Sequence, residues 1–248
     1  MKIYTGMASG KKLENVDKYG LGFMISSTPD RLPGKECIGR PCALDNGAYL
    51  SYMRGYPFLE SYFWRAMSKC YELKLKLDFI VVPDIVGGGE ASFDFSLNWL
   101  NKLIGGSLAF VIQSGTPIKH MEDIWPLPIS TIFIGGSHLW DWSKVAEWRE
   151  WAKEKGLVFH IGRIGNLNDL HKAKAVGADS VDSTNFTRNE CWNVLDDFRD
   201  GPSPCPSCGK VPTINAKGML DHYECSGFMI GSFMPKVWER HCKSGNML

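Results

Sequence analysis

No stretch of this chain approaches the ~20 consecutive apolar residues of a membrane-spanning helix. Its opening segment, MKIYTGMASGKK, also lacks the apolar core of a secretion signal. From these two absences a cytoplasmic protein is expected. Net charge is nearly absent too. Lys and Arg number 28 against 27 Asp and Glu, a balance of +1 that excludes no partner class, since a local basic patch can hide in a neutral total. There is no internal repeat and no low-complexity tract. Neither a GxGxxG loop nor a Walker lysine occurs, which removes the usual support for an open, doubly wound nucleotide-binding sheet.

What is present suits one large domain with a small appendage: 248 residues, 44% hydrophobic and 22% charged. The eight cysteines are expected to be reduced thiols and metal ligands, because a cytosolic chain does not keep a disulfide framework. Cys37, Cys42, Cys70 and Cys191 are scattered and read as packed or surface thiols. The other four crowd the C-terminus.

Eight short β-type runs recur: 2–4, 21–25, 42–44, 79–82, 108–112, 131–134, 158–161 and 180–182. Several are apolar throughout, as strands buried on both faces of a parallel sheet must be. Helical patterns fall between them at 58–73, 91–104, 117–124, 141–155 and 166–176. Asn166 is placed as an N-cap. Trp142, Val145, Trp148 and Trp151 form a stripe that reads as core packing rather than a stacking platform. Strands alternating with helices in this way predict an α/β protein, a (β/α)8 TIM barrel over residues 1–200. Residues 198–204 read as a linker, and 201–248 as a small C-terminal zinc-binding module.

The barrel reading gives meaning to the stretch from Gly177 to Arg188. A short helix stops at Gly177, and the strand after it delivers Asp182 at its C-terminal end. Such an Asp commonly caps a turn, but the C-terminal strand ends of a barrel are also where active sites are built. The other strand ends would carry Asp45, Asp84, Gln113, Gly135–Gly136 and Gly162–Arg163. Three acids on one rim do not suit a phosphate cradle. The nearby histidines, His138 and His160, are not paired at a metal-ligand spacing. Acids, a carboxamide and close-approach glycines do suit the edge of a flat purine-like base, with one carboxylate free for chemistry.

In order and spacing these segments resemble the tRNA-guanine transglycosylase superfamily. The matching stretches are Asp45-Asn-Gly-Ala-Tyr49, Asp84, Gln113-Ser-Gly115, Gly135-Gly136, Gly162-Arg-Ile-Gly165 and Gly177-Ala-Asp-Ser-Val-Asp182, the last running on to Thr187-Arg188. The resemblance covers roughly residues 40–190. It implies that Asp182 is the nucleophile at the sugar C1′ carbon and Asp45 the general acid/base. It implies that Asp84, Gln113, Gly135 and Gly136 read the base edge and that Tyr49 stacks on the base. Phe186 departs from the family's proline, and the chain is shorter than typical tRNA-modifying members. It is closer to the compact phage and bacterial DpdA family, which exchanges guanine in DNA for a 7-deazaguanine such as 7-cyano-7-deazaguanine. DNA is therefore the expected partner, with tRNA as the alternative, in the host cytoplasm for a phage-encoded protein. Arg163, Arg188, Lys119 and the pair Lys11-Lys12 are candidates for phosphate contact, the two arginines foremost because they follow strand ends.

Cys205-x2-Cys208-Gly is a zinc half-site, and Cys225 is its natural third ligand. The fourth is open among His222, His241 and Cys242. His222 stands three residues from Cys225, so the two point to opposite faces of an extended strand. His241, on a following helix-like segment, is favoured, and the family's site is likewise three Cys and one His. The zinc is expected to be structural. The resemblance also allows a homodimer through this region.

Overall fold

In this computed structural model, the described residues are 1–200, apart from 30, 104 and 137–139, together with 213–214 and 220–221. Eight parallel strands close into a barrel in chain order: β1 (Lys2–Gly6), β2 (Gly22–Ile25), β3 (Cys42–Leu44), β4 (Leu77–Val81), β5 (Leu108–Ile112), β6 (Thr131–Ile134), β7 (Val158–Ile161) and β8 (Ser180–Ser183). β8 pairs back onto β1, with Tyr4 opposite Asp182 and Thr5 opposite Ser183. Every strand read from the sequence is present, most within a residue or two of the expected bounds. Cys37, Cys42, Cys70 and Cys191 are all buried.

Side chains alternate across each strand, and this alternation separates two cores. Facing outward against the helices are Phe23, Ile25, Leu44, Ile80, Phe110, Ile112, Ile132, Phe159, Ile161 and Val181. Facing inward are Tyr4, Met24, Ala43, Phe79, Val81, Ala109 and Val111, with Phe133 against them. Carried one step further up each strand, the inward parity reaches Asp45, Gln113, Gly135, Gly162 and Asp182. The hydrophobic plug of the barrel is thus capped by a polar layer at the C-terminal mouth. The β3–β4 register shifts between Cys42 and Leu44, the kind of irregularity that re-aims a strand end beside a site.

The helices are α1 (Lys11–Lys18), α2 (Ala48–Met53), α3 (Glu60–Glu72), α4 (Gly89–Leu100), α5 (Ile118–Ile124), α6 (Trp142–Glu154), α7 (Leu167–Ala175), α8 (Asn185–Arg188) and α9 (Asn193–Asp200). Asn166 does cap α7, accepting from the Asp169 amide at 2.9 Å. On α6, Val145, Trp148 and Trp151 are buried against the barrel and Trp142 is partly buried, as expected of a core stripe. Of the linker expected at 198–204, residues 198–200 are instead the last turn of α9, and 201–204 lie outside the described residues. Val194 and Leu195 are buried there, and Phe198 packs on the His171 ring of α7 with centroids 5.2 Å apart. An apolar face docked on a neighbouring helix holds that segment helical.

Among the described residues no helix is long and apolar enough to cross a membrane. Cys205, Cys208, Cys225 and His241, the expected zinc ligands, lie outside the described residues. Within that region Thr213–Ile214 and Leu220–Asp221 pair as two antiparallel strands.

Candidate active site

Parallel strands put all their C-terminal ends on one rim, and the rim collects the predicted residues. Asp45 follows β3 and enters a tight turn whose Gly47 has φ 79°. A Cβ at Gly47 would stand 2.6 Å from the Ser27 carbonyl, so no other residue fits this turn. The Gly47 amide donates to Asp45 Oδ2 at 3.2 Å, and Ser27 Oγ donates to the Asp45 carbonyl at 2.5 Å. The carboxyl is pushed up to about 7. Burial is the main cause, followed by the negative charges of Asp182 and then Asp84.

Asp84 is buried where β4 gives way to its loop. Two hydroxyls of α4 hold that loop: Ser96 donates to the Pro83 carbonyl (2.9 Å), and Ser92 accepts from the Ile85 amide (3.0 Å). The Asp84 carboxylate takes one carboxamide on each oxygen, from Asn46 Nδ2 at 2.7 Å and Gln113 Nε2 at 2.6 Å. Burial raises its pKa, opposed by these two donors. The Gln113 oxygen in turn accepts from the Gly87 amide at 3.3 Å. A Cβ on Gly135 would lie 2.8 Å from Gln113 Nε2 and 2.9 Å from Val111, so this glycine leaves the space that lets Gln113 reach Asp84. Gly136 has φ 63°.

Asp182 is the penultimate residue of β8, and its side chain is 14% exposed. Its Oδ1 lies 3.0 Å from Nε2 of His160, a fully buried ring whose Nδ1 is 2.8 Å from Ser180 Oγ. An ionised carboxylate only accepts, which puts a proton on Nε2. In the neutral ring Nδ1 then accepts from the Ser180 hydroxyl, and every group is satisfied. Tyr4, Phe79 and Phe133 surround the imidazole, with Phe133 nearest at 4.4 Å between centroids. Gly162 admits this packing, since a Cβ there would meet the Phe133 ring at 2.7 Å and Asp182 Oδ1 at 3.3 Å.

His160 was noted in the sequence only as an unpaired metal candidate, because in Val-Phe-His-Ile it looks like one polar residue in a core strand. The signal was register: β7 and β8 pair His160 with Ser180, which sets both on the inward face with Asp182. Replacing His160 by Ala empties a site walled by aromatics and strips Asp182 of its donor. We expect a loss of about 3–5 kcal/mol in urea unfolding, with an unchanged slope. A loss below about 1 kcal/mol would contradict the packing described.

Tyr49 and Arg163 meet each other at the mouth. The guanidinium carbon lies 4.0 Å from the centroid of the Tyr49 ring. Arg163 holds φ 64°, an uncommon value for a residue with a side chain. It stands apart from the other cations proposed for phosphate contact. Lys11, Lys12 and Arg188 instead share a cleft of about 650 Å³ with Arg31, between the loops after β1 and β8. Arg31 carried no sequence signal, as it sits in an aperiodic loop. Lys119 is an exposed residue of α5 and does not line the cleft.

Chemically, the mouth holds a carboxyl near half-protonation at neutral pH, a second carboxylate fixed through one oxygen, and a buried carboxylate–carboxamide pair. Such a set could serve as an acid/base, an anchored nucleophile and a hydrogen-bonding edge. Scans of the sequence against protein-family models and against curated proteins find no match.

Proposed function

We propose that the protein is a base-exchange transglycosylase that replaces guanine in DNA with a 7-deazaguanine, through a covalent link between Asp182 and the deoxyribose. The observation that carries this reading is the facing pair of mouth acids. Asp45 is raised to about 7 with Asp182 as one of the causes, and Asp182 is anchored by His160. Displacement at an anomeric carbon passes through an oxocarbenium-like transition state, which two carboxylates with different tasks can serve.

The steps follow from that division. An Asp182 oxygen bonds to C1′ as the C1′–N9 bond breaks, and the electron pair leaves with guanine, which takes the proton of Asp45. The 7-deazaguanine then enters, Asp45 takes back a proton from its N9, and N9 bonds to C1′ as Asp182 departs. Two displacements retain configuration. The guanine edge offers N–H donors beside the O6 acceptor. Asp84 uses one lone pair on each oxygen and keeps others for those donors, while Gln113 and the Gly136 amide can donate to O6.

The choice of DNA rests on the resemblance to compact relatives and on the shortness of the two rim loops that follow the strands carrying the acids. Only residues 45–47 separate β3 from α2, and only Thr184 separates β8 from α8, which leaves little to grip a folded RNA loop. A structural zinc on Cys205, Cys208, Cys225 and His241 is part of the proposal, because three thiolates and an imidazole make a closed tetrahedral donor set.

The test is exchange. Labelled guanine should leave DNA only when 7-cyano-7-deazaguanine is supplied. Exchange in tRNA alone would keep the chemistry and overturn the substrate. Binding without exchange in either would make the chain a nucleic-acid-binding subunit.

A further inference from the structure

We propose that the cleft between the β1–α1 and β8–α8 loops binds the phosphodiester backbone of the strand whose nucleotide occupies the mouth. This rests on the transglycosylase reading for its orientation but on separate residues for its chemistry. Met7, Ser9, Lys11, Lys12, Arg31 and Arg188 are among its lining, and its four cations face one carboxylate, Glu190.

The cations divide into two pairs. Lys12 is committed to the Thr187 carbonyl (2.8 Å) and Glu190 (3.1 Å), and Arg31 to the Met7 carbonyl (2.7 Å) and Glu36 (3.5 Å). Lys12 thus ties α1 to α8 and the residues after it, and Arg31 ties the segment between β2 and β3 to the β1–α1 loop, and so they hold the walls. Lys11 and Arg188 are exposed and form no ion pair among the described residues. They are the two charges left to meet an anion. Such an arrangement, cations at the loop after the last barrel strand and beside a short extra helix, suits phosphate.

Position decides which phosphate. The wall of the cleft is built on the strand pair that carries Asp182, with Thr5 Oγ1 3.2 Å from Thr187 Oγ1. A Cβ on Gly6 would touch Thr187 Oγ1 at 3.3 Å, so β1 and α8 are in close contact there. In a nucleotide held at C1′, the 3′ and 5′ phosphates lie one sugar away from the reacting carbon. The neighbouring cleft is the cationic surface that such a phosphate would meet. A cleft of about 650 Å³ exceeds what one phosphate fills and leaves room for a continuing backbone.

The experiment is fluorescence anisotropy with a fluorescein-labelled, guanine-containing single-stranded DNA, titrated between 50 and 200 mM salt. Lys11→Ala/Arg188→Ala should weaken binding by about 10- to 100-fold at the lower salt, and should flatten the log–log salt slope by about 1.4, two contacts' worth. Lys76→Ala/Lys153→Ala, the same charge change on exposed residues at the opposite end of the barrel, should leave both unchanged. Inorganic phosphate and guanosine monophosphate at matched phosphate concentration should fail to displace the strand. Equal slopes for wild type and the cleft variant, equal effects of the two double variants, or displacement by the small phosphates would overturn the proposal. Lost binding in the cleft variant, with a wild type that binds DNA but exchanges no base, would keep the cleft and remove the transglycosylase reading.

Discussion

Replacing Asp182 by Asn is expected to lower guanine release from DNA by about 10⁴- to 10⁶-fold, the scale on which removal of a covalent nucleophile acts. The substitution is nearly isosteric, and the amide oxygen can still accept from His160 Nε2, now 3.0 Å from Asp182 Oδ1. The aromatic box around His160 therefore stays packed, and thermal unfolding should move little. What disappears is the negative oxygen that bonds to C1′. Single-turnover release of labelled guanine measures the loss. A variant that keeps activity within tenfold of wild type would mean that another group makes the bond, or that no covalent bond is made.

The second large effect concerns Asp45, where activity and stability should move in opposite directions. The folded-state pKa, raised to about 7, lies above the ordinary carboxylate value of 3.8. Between those values the unfolded chain binds fewer protons than the folded one, so stability falls as pH rises through that window. The cost levels off above about pH 7, at a ceiling on the order of 4 kcal/mol. Asp45→Asn removes the titration. The variant should match wild type near pH 4, gain on it steadily to pH 7, and hold a constant advantage above that. Urea unfolding at several pH values reads this out. Base exchange should drop by about 10²- to 10⁴-fold, the range for a lost general acid/base. For wild type, kcat/KM for DNA should decline above about pH 7, as the proton needed by departing guanine is lost. A variant less stable than wild type at pH 8 would contradict the origin assigned to the shift.

The barrel was legible because the evidence for it is local. Runs such as Leu108–Ile112 are apolar on both faces, which is what a strand between a helix layer and a barrel interior requires. The rim residues were legible for a related reason, since the last inward position of a strand can be counted from its apolar run. Asp45, Gln113, Gly135 and Asp182 were found that way. Features that depend on register or on contacts between distant loops were not. His160 needed the pairing of β7 with β8, and the cleft needed Arg31 to meet residues more than 150 positions away in α8. Arg163 followed the right strand but turned to the Tyr49 ring rather than toward the other cations, a choice set by backbone at φ 64° that no residue pattern reports. The last turn of α9 was read as linker because the Asp-Gly-Pro segment beyond it dominates the composition, while Phe198 is held by a helix-to-helix contact.

The most direct test of the central claim is to quench wild-type protein with guanine-containing DNA under denaturing conditions and map any adduct by peptide mass spectrometry. The account predicts a DNA-linked species whose mass places the deoxyribose on the peptide containing Asp182, absent in Asp182→Asn and discharged by 7-cyano-7-deazaguanine. Guanine release with no protein-linked DNA, or an adduct on a peptide without Asp182, would contradict it.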